Sequence, residues 1–180
     1  MKDAAAPKRS WVLRTLLFLI FVPAGLFALY VFAALNPVYR FYNKTIGTHF
    51  YTPSEAEKNS VIANLSRIYT YEGIAYKTNP YNNSQPLYRF FNKKNGSHFY
   101  TASAAERNNV IANLSATYVY EGETYRVSPT YAAGKTPVYR FYNKRNGSHF
   151  YTANETEKNN VIATLSGVYV YEGVAFHLGH

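Results

Sequence analysis

One block of sequence occurs three times. Beginning at Pro37, Pro86 and Pro137 the chain reads PVYRFYNKTIGTHFYT, PLYRFFNKKNGSHFYT and PVYRFYNKRNGSHFYT. Each stretch runs on through a Val-Ile-Ala-x-Leu-Ser block from Val61, Val110 and Val161 to a Tyr-x-Tyr-Glu-Gly block from Tyr69, Tyr118 and Tyr169. The copies start 49 and 51 residues apart. Such a period belongs to an array or to a pseudo-symmetric closed fold. A unit of this size is too small to bury its aromatic side chains alone, so three copies must share a core.

Within one copy the local pattern is legible. Val38–Asn43 and Thr48–Thr52 are short, aromatic and β-branched, which predicts two strands. The four residues between them include Gly47, suited to a left-handed turn position. Pairing Asn43 with Thr48 sets Phe41 against Phe50, Tyr42 against His49 and Arg40 against Tyr51. Alternation then places Tyr39, Phe41, Phe50 and Thr52 on one face and Arg40, Tyr42, His49 and Tyr51 on the other. A helix should follow, capped by Thr52 with Pro53 in its first position and Glu55 completing a capping box. Thr152 and Glu155 repeat that arrangement, and the second copy moves it to Ser103 and Glu106. Val61, Ile62 and Leu65 supply the apolar face of the helix. Tyr69–Glu72 reads as a third strand, with Gly73 a turn or bulge and Ile74–Tyr76 its continuation. The linkers Lys77–Gln85 and Arg126–Thr136 are rich in Asn, Ser, Pro, Thr and Gly, as loops are. The expected fold is α+β: three tandem β-β-α-β repeats, residues 37–85, 86–136 and 137–180, forming one pseudo-threefold domain. A β-trefoil is the alternative, and the capped helix argues against it.

The N-terminal region has a different character. Residues 15–35 read TLLFLIFVPAGLFALYVFAAL without a charge, long enough to cross a bilayer core of about 30 Å. Lys2, Lys8, Arg9 and Arg14 precede it, which keeps residues 1–14 in the cytoplasm and puts the triple-repeat domain, residues 36–180, outside. The segment reads either as a retained transmembrane signal anchor, which its length favours, or as a signal peptide cleaved after Ala33. From Ala34 onward fifteen Lys/Arg stand against nine Glu, a net of six positive charges. That excess suits an anionic envelope polymer, an acidic lipid surface or nucleic acid. No Lys/Arg cluster is visible along the chain, so the excess reads as a solvated basic surface, with no nucleic-acid partner. The absence of cysteine excludes disulfides and thiolate metal sites. Asp3 is the only aspartate, which argues against calcium loops.

The blocks PVYRFYN, GSHFYT, VIA and YEG resemble a bacterial repeat family catalogued as a repeat or domain of unknown function. The resemblance covers Pro37 to Phe176. It implies a secreted protein with an accessory role outside the cell, because such repeats are often appended to extracellular hydrolases. It brings no catalytic residues, and this chain has no room for a hydrolase domain beside the repeats.

Side chains that stay constant through the three copies are the candidates for function. Arg40, Arg89 and Arg140 recur, as do His49, His98 and His149, Glu72, Glu121 and Glu172, and the ring at Tyr42, Phe91 and Tyr142. Rings stack on apolar sugar faces while Arg and Glu bond hydroxyls, so this set fits a carbohydrate-binding platform. The structural reading ranks ahead of it: Arg and Glu as an ion pair, His as a packed core or turn residue, Asn43, Asn92 and Asn143 as turn caps, and Tyr39, Phe41, Phe50 and Tyr51 as core. Three histidines meeting on a threefold axis would suit zinc, but strand-borne side chains would all have to point inward. A Ser66–His49–Glu72 hydrolytic arrangement lacks a nucleophile-elbow signature. His177 and His180 have no counterparts in the other copies and look incidental. The sequence therefore predicts a non-catalytic module without a metal or cofactor. Its partner is an envelope or extracellular glycan, with a protein-interaction scaffold for an exported partner and an uncharacterised hydrolase as alternatives.

Overall fold

A computed structural model describes residues 35–79, 85–128 and 134–179. Each repeat contributes three strands and a helix. The first holds β1 (Asn36–Asn43), β2 (Thr48–Thr52), α1 (Glu55–Asn64) and β3 (Tyr69–Thr78). The second holds β4 (Gln85–Asn92), β5 (His98–Thr101), α2 (Ala104–Asn113) and β6 (Tyr118–Val127). The third holds β7 (Thr136–Asn143), β8 (His149–Thr152), α3 (Glu155–Thr164) and β9 (Tyr169–Leu178). The three antiparallel sheets have the orders β2-β1-β3, β5-β4-β6 and β8-β7-β9. This is a threefold repeat of small α+β units, and the helix in each sets it apart from an all-β trefoil. The apolar run 15–34 lies outside the described residues. Among those described, no helix is long and apolar enough to cross a membrane.

The hairpin register is the expected one, from Tyr39 opposite Thr52 to Asn43 opposite Thr48. Asn43 shapes the turn: its Oδ1 accepts the N–H of Thr45 at 3.0 Å, and Asn92 and Asn143 do the same for Lys94 and Arg145. Gly47 has φ +67°, a conformation that glycine adopts without steric cost. The third strand carries two register shifts, one of which leaves Glu72 unpaired between the partners of Arg40 and Phe41. Gly73, with φ +96°, makes that bulge possible.

Two sequence expectations need correction. The helices begin two residues later than the Thr52 and Thr152 caps imply. Ser54, Ser103 and Asn154 are the N-caps, accepting the N–H of Glu57, Glu106 and Glu157. Thr52 and Thr152 remain paired in their strands, and their hydroxyls instead accept the N–H of Ser54 and Asn154. The position read as an exception in the second copy is thus the rule in all three. Nor does the helix bury an apolar stripe. Val61 is buried, whereas Ile62 and Leu65 are exposed. The helix is instead held by Val61 and by Lys58, whose Nζ lies 4.6 Å above the Tyr39 ring, a contact that Arg107 and Lys158 repeat.

Both faces of each sheet are used. One buries Tyr39, Phe41 and Phe50 beneath Val61 and Tyr69, with equivalent clusters in the other repeats. The other joins Val38, Tyr51 and Tyr76 to their counterparts in a shared core. At its centre the Tyr51, Tyr100 and Tyr151 rings meet edge to face at 5.6–5.9 Å. Each hydroxyl donates to the backbone carbonyl of the next tyrosine, Tyr51 to Tyr151 at 2.6 Å, Tyr151 to Tyr100 at 2.7 Å and Tyr100 to Tyr51 at 2.8 Å. Each also accepts that same residue's N–H. Burial pushes these hydroxyls well above the ordinary phenol range. In a neighbouring layer the Tyr76 and Tyr125 hydroxyls share one hydrogen bond of 2.6 Å. Phe176 takes the third place, which avoids a third buried hydroxyl in need of a partner.

Candidate functional site

The bulge at Glu72 aims its carboxylate back at the strand it left. Glu72 Oε2 lies 2.8 Å from Arg40 Nε and 3.4 Å from His49 Nε2. Glu121 meets Arg89 and His98, and Glu172 meets Arg140 and His149, in the same way. At Arg89 and Arg140 the Nε approach lies off the N–H axis, so it acts as an ion pair rather than a hydrogen bond. The other end of each guanidinium leaves its own repeat. Arg89 Nη1 reaches Glu57 of the first repeat at 3.2 Å, Arg140 reaches Glu106 of the second at 3.0 Å, and Arg40 reaches Glu157 of the third at 3.1 Å. The constant set is therefore also the set that joins neighbouring repeats.

The histidines sit at these same seams. His98 packs on Phe50, His149 on Phe99 and His49 on Phe150, each pair with ring centroids 4.9 Å apart. They do not converge on a common centre, which the tyrosines occupy. Among the described residues no group of three His, Cys, Asp or Glu side chains could hold a metal. Burial, with the Arg89 guanidinium, pushes the His98 imidazole down to about 4 against the pull of Glu57. His149 is shifted to about 4 in the same way by burial and Arg140. In the first repeat the hydrogen bond with His49 holds the Glu72 carboxyl below its usual range, with burial opposing it. Tyr42, Phe91 and Tyr142 flank the histidine rings at 5.3–5.5 Å.

Each seam opens outward into a cleft. Between the first and second repeats a space of about 170 Å³ is lined by Phe50, Val61, Leu65 and Tyr69 on one wall and by Arg89, His98 and Glu121 on the other, with Glu57 at its edge. Between the second and third, about 170 Å³ is lined by Phe99, Leu114, Tyr118, Arg140, His149 and Glu172 among others. At the third seam the volume is about 210 Å³, with His49 facing Phe150, Leu165 and Tyr169. Arg40 and Glu72 line an adjoining hollow there. The flanking rings at Tyr42, Phe91 and Tyr142 stand outside these linings. Ser66 lies on the exposed turn after α1, where its carbonyl accepts from Lys44 Nζ.

Three features escaped the sequence reading. Glu57, Glu106 and Glu157 complete every seam. Their signal was constancy: Glu55 becomes Ala104 in the second copy, whereas Glu57 persists as Glu106. Phe50, Phe99 and Phe150 serve both a core cluster and a cleft wall. His177 is not incidental either, since it is buried and exchanges both backbone hydrogen bonds with Ser128.

No curated protein and no solved structure matches the chain. Residues 29–178 match the family described as Domain of unknown function (DUF5648), and the chain belongs to that family.

Proposed function

We propose that the protein is a non-catalytic, trivalent carbohydrate-binding module acting outside the cytoplasm behind the apolar run 15–35, with each seam cleft taking one saccharide unit of a polymer. The observation that carries this reading is the recurrence of a cleft at three seams, each with aromatic and aliphatic side chains on one wall. That wall is faced by Arg, His and Glu at two seams and by His49 at the third, where Arg40 and Glu72 line the adjoining hollow. Rings and aliphatic carbons meet the apolar face of a sugar, and the exposed edges of the Arg and Glu side chains meet its hydroxyls. The ion pairs hold these groups in place before a ligand arrives. With His98 and His149 neutral, one guanidinium and two carboxylates give each of their seams one net negative charge. That favours a neutral or amino sugar over an anionic one. A single shallow site of roughly millimolar strength gains about 10²–10⁴ when linked sites engage one polymer.

The test is retention of the full-length protein on a panel of polysaccharides, compared with a Leu65→Trp/Leu114→Trp/Leu165→Trp variant. These leucines are exposed and line the clefts, so the indoles fill the sites without touching the ion pairs. Retention of the wild type and its loss in the variant is the expected result. A folded wild type that is retained on no polysaccharide overturns the reading, and selective cross-linking to one exported protein would favour the scaffold in its place.

A further inference from the structure

The positive charge is spread along the sequence but not over the molecule. Lys44, Lys93, Lys94, Lys144 and Arg145 all lie in the three hairpin turns that follow β1, β4 and β7, and all are exposed. The fold brings those turns together. Asn95 Nδ2 donates to the Asn146 carbonyl at 2.7 Å, and Asn146 Nδ2 donates to the Ile46 carbonyl at 3.0 Å. A Cβ placed on Gly96 would meet Ile46 Cδ1 at 3.7 Å, so the ring of turns closes there on an apolar contact. Exposed Arg67 joins the same end, because Lys44 bonds the backbone on both sides of it, through its Nζ to the Ser66 carbonyl and through its N–H to the Ile68 carbonyl. Lys93 and Lys144 make the matching bonds to Ser115 and Ser166. Each lysine thereby ties its hairpin turn to the turn that follows the helix of the same repeat.

No carboxylate occurs in the turns 43–48, 92–97 and 143–148 or in the segments 64–69, 113–118 and 164–169. Among the described residues, the seam and helix ion pairs take up the glutamates of all three repeats except Glu123 on β6. Six basic groups thus share one end of the three sheets, and they match in number the whole excess of fifteen Lys/Arg over nine Glu that follows Ala33.

We infer that this end of the domain is a docking face for a flexible polymer bearing repeated phosphate groups, separate from the seam clefts. Ammonium and guanidinium groups at the tips of neighbouring turns fit successive phosphates, with affinity supplied by the release of the polymer's counterions. Two other anionic partners fit less well. The tips 44–47, 93–96 and 144–147 carry no ring on which a nucleic-acid base could stack, and the Tyr42 and Tyr142 rings beside Gly47 and Gly147 are already packed on His49 and His149. At the tips Ile46 is the one aliphatic side chain larger than a threonine methyl, and it is engaged on Gly96. Of the exposed aliphatic groups beside Arg67, Leu65 lines a seam cleft and Ile68 is replaced by Thr117 in the second repeat, so no repeated apolar group at this end stands ready to enter a bilayer.

The experiment uses the full-length chain in non-ionic detergent with inorganic polyphosphate as the probe. It compares the wild type with Arg67→Glu/Lys94→Glu/Arg145→Glu and with the matching glutamine variant. These three side chains leave the bonds of Lys44, Lys93 and Lys144 intact, and circular dichroism checks the fold. Vesicles of phosphatidylglycerol in phosphatidylcholine form the second arm. The wild type should bind polyphosphate with an affinity that falls as salt rises. The charge reversal should weaken binding at least tenfold. The glutamine variant should lower the slope of log K against log salt by roughly 0.7 for each lost contact, and both variants should keep any polysaccharide retention of the wild type. Equal binding by wild type and charge reversal overturns the proposal. So does the absence of polyphosphate binding at low salt, or variant-sensitive binding confined to the vesicles.

Discussion

At the scale of single residues, the constant side chains divide between those that join repeats deep in the core and those that join them at the surface. Tyr51, Tyr100 and Tyr151 belong to the first group. Replacing Tyr100 with Phe keeps the ring but strips the Tyr51 carbonyl and N–H of their shared partner. Two buried backbone groups are orphaned, at about 1–3 kcal/mol each, so Tyr100→Phe should lower unfolding stability by roughly 2–5 kcal/mol in a urea titration. Tyr51→Phe and Tyr151→Phe should do the same. The histidines belong to the second group and set the acid response. His98 is faced by Arg89, Glu121, Glu57 and Phe50, and it stays neutral in the folded state to about pH 4. His149 does likewise. Between pH 6.5 and 4 the unfolded chain takes up protons at these sites that the folded chain does not. Stability is therefore full above about pH 6.5 and declines toward pH 4, by on the order of 3 kcal/mol for each histidine at full separation. Urea midpoints measured from pH 7.5 to 4 should fall on this slope, and His98→Gln/His149→Gln should flatten it. The roles of these residues were only half legible in the sequence. Alternation placed Arg40, His49 and Tyr51 on one face, but three near-identical copies cannot reveal whether Arg40 meets its own Glu57 or the Glu157 of another repeat.

At the scale of the elements, the hairpin was readable and the helix start was not. The hairpin is over-determined: Asn43 and Gly47 fix the turn, and strand alternation fixes the faces. For the helix, two hydroxyl residues two positions apart, Thr52 and Ser54, each precede a glutamate at capping distance, so local pattern alone supports either start. The pairing of Thr52 with Tyr39 in the sheet decides it. The apolar face was misread for a related reason. Ile62 and Leu65 follow helical spacing, yet the surface that Leu65 borders is a cleft between repeats, which no single repeat's sequence displays. The cap assignment has a direct consequence for stability. Ser54→Ala, Ser103→Ala and Asn154→Ala should each cost about 1 kcal/mol. Glu55→Ala should leave the thermal midpoint within error, because the Glu55 side chain is solvent-exposed in its pair with Lys58 and Ala104 already occupies that position in the second copy. A cap at Thr52 with Glu55 would give the reverse order for Ser54 and Glu55.

At the scale of the whole repeat domain, the Arg–Glu, His–Phe and tyrosine contacts between copies run head to tail. Surfaces of this kind form a ring when the rotation closes and an open array when it does not. Here the third copy returns to the first through Arg40–Glu157, His49–Phe150 and the Tyr51–Tyr151 bonds. Closure separates this fold from a solenoid, whose stability grows as a sum over neighbours and whose ends tolerate truncation. Ending the chain after residue 136 removes two of the three seams. Arg40 loses Glu157, Glu106 loses Arg140, and the hydroxyl of Tyr51 and the N–H of Tyr100 both lose Tyr151. One intact seam must then support two repeats whose shared core lies open along Val38, Tyr51, Leu87 and Tyr100. The complete chain should unfold in one cooperative urea transition, with circular dichroism and tyrosine fluorescence coincident. The two-repeat fragment should show no such transition as a monomer, and should associate at higher concentration as copies supply each other's missing seams. Size-exclusion chromatography with light scattering separates the outcomes. A monomeric fragment that still unfolds cooperatively would mean that each repeat is stabilised by its neighbour alone, and that closure of the ring contributes little to the fold.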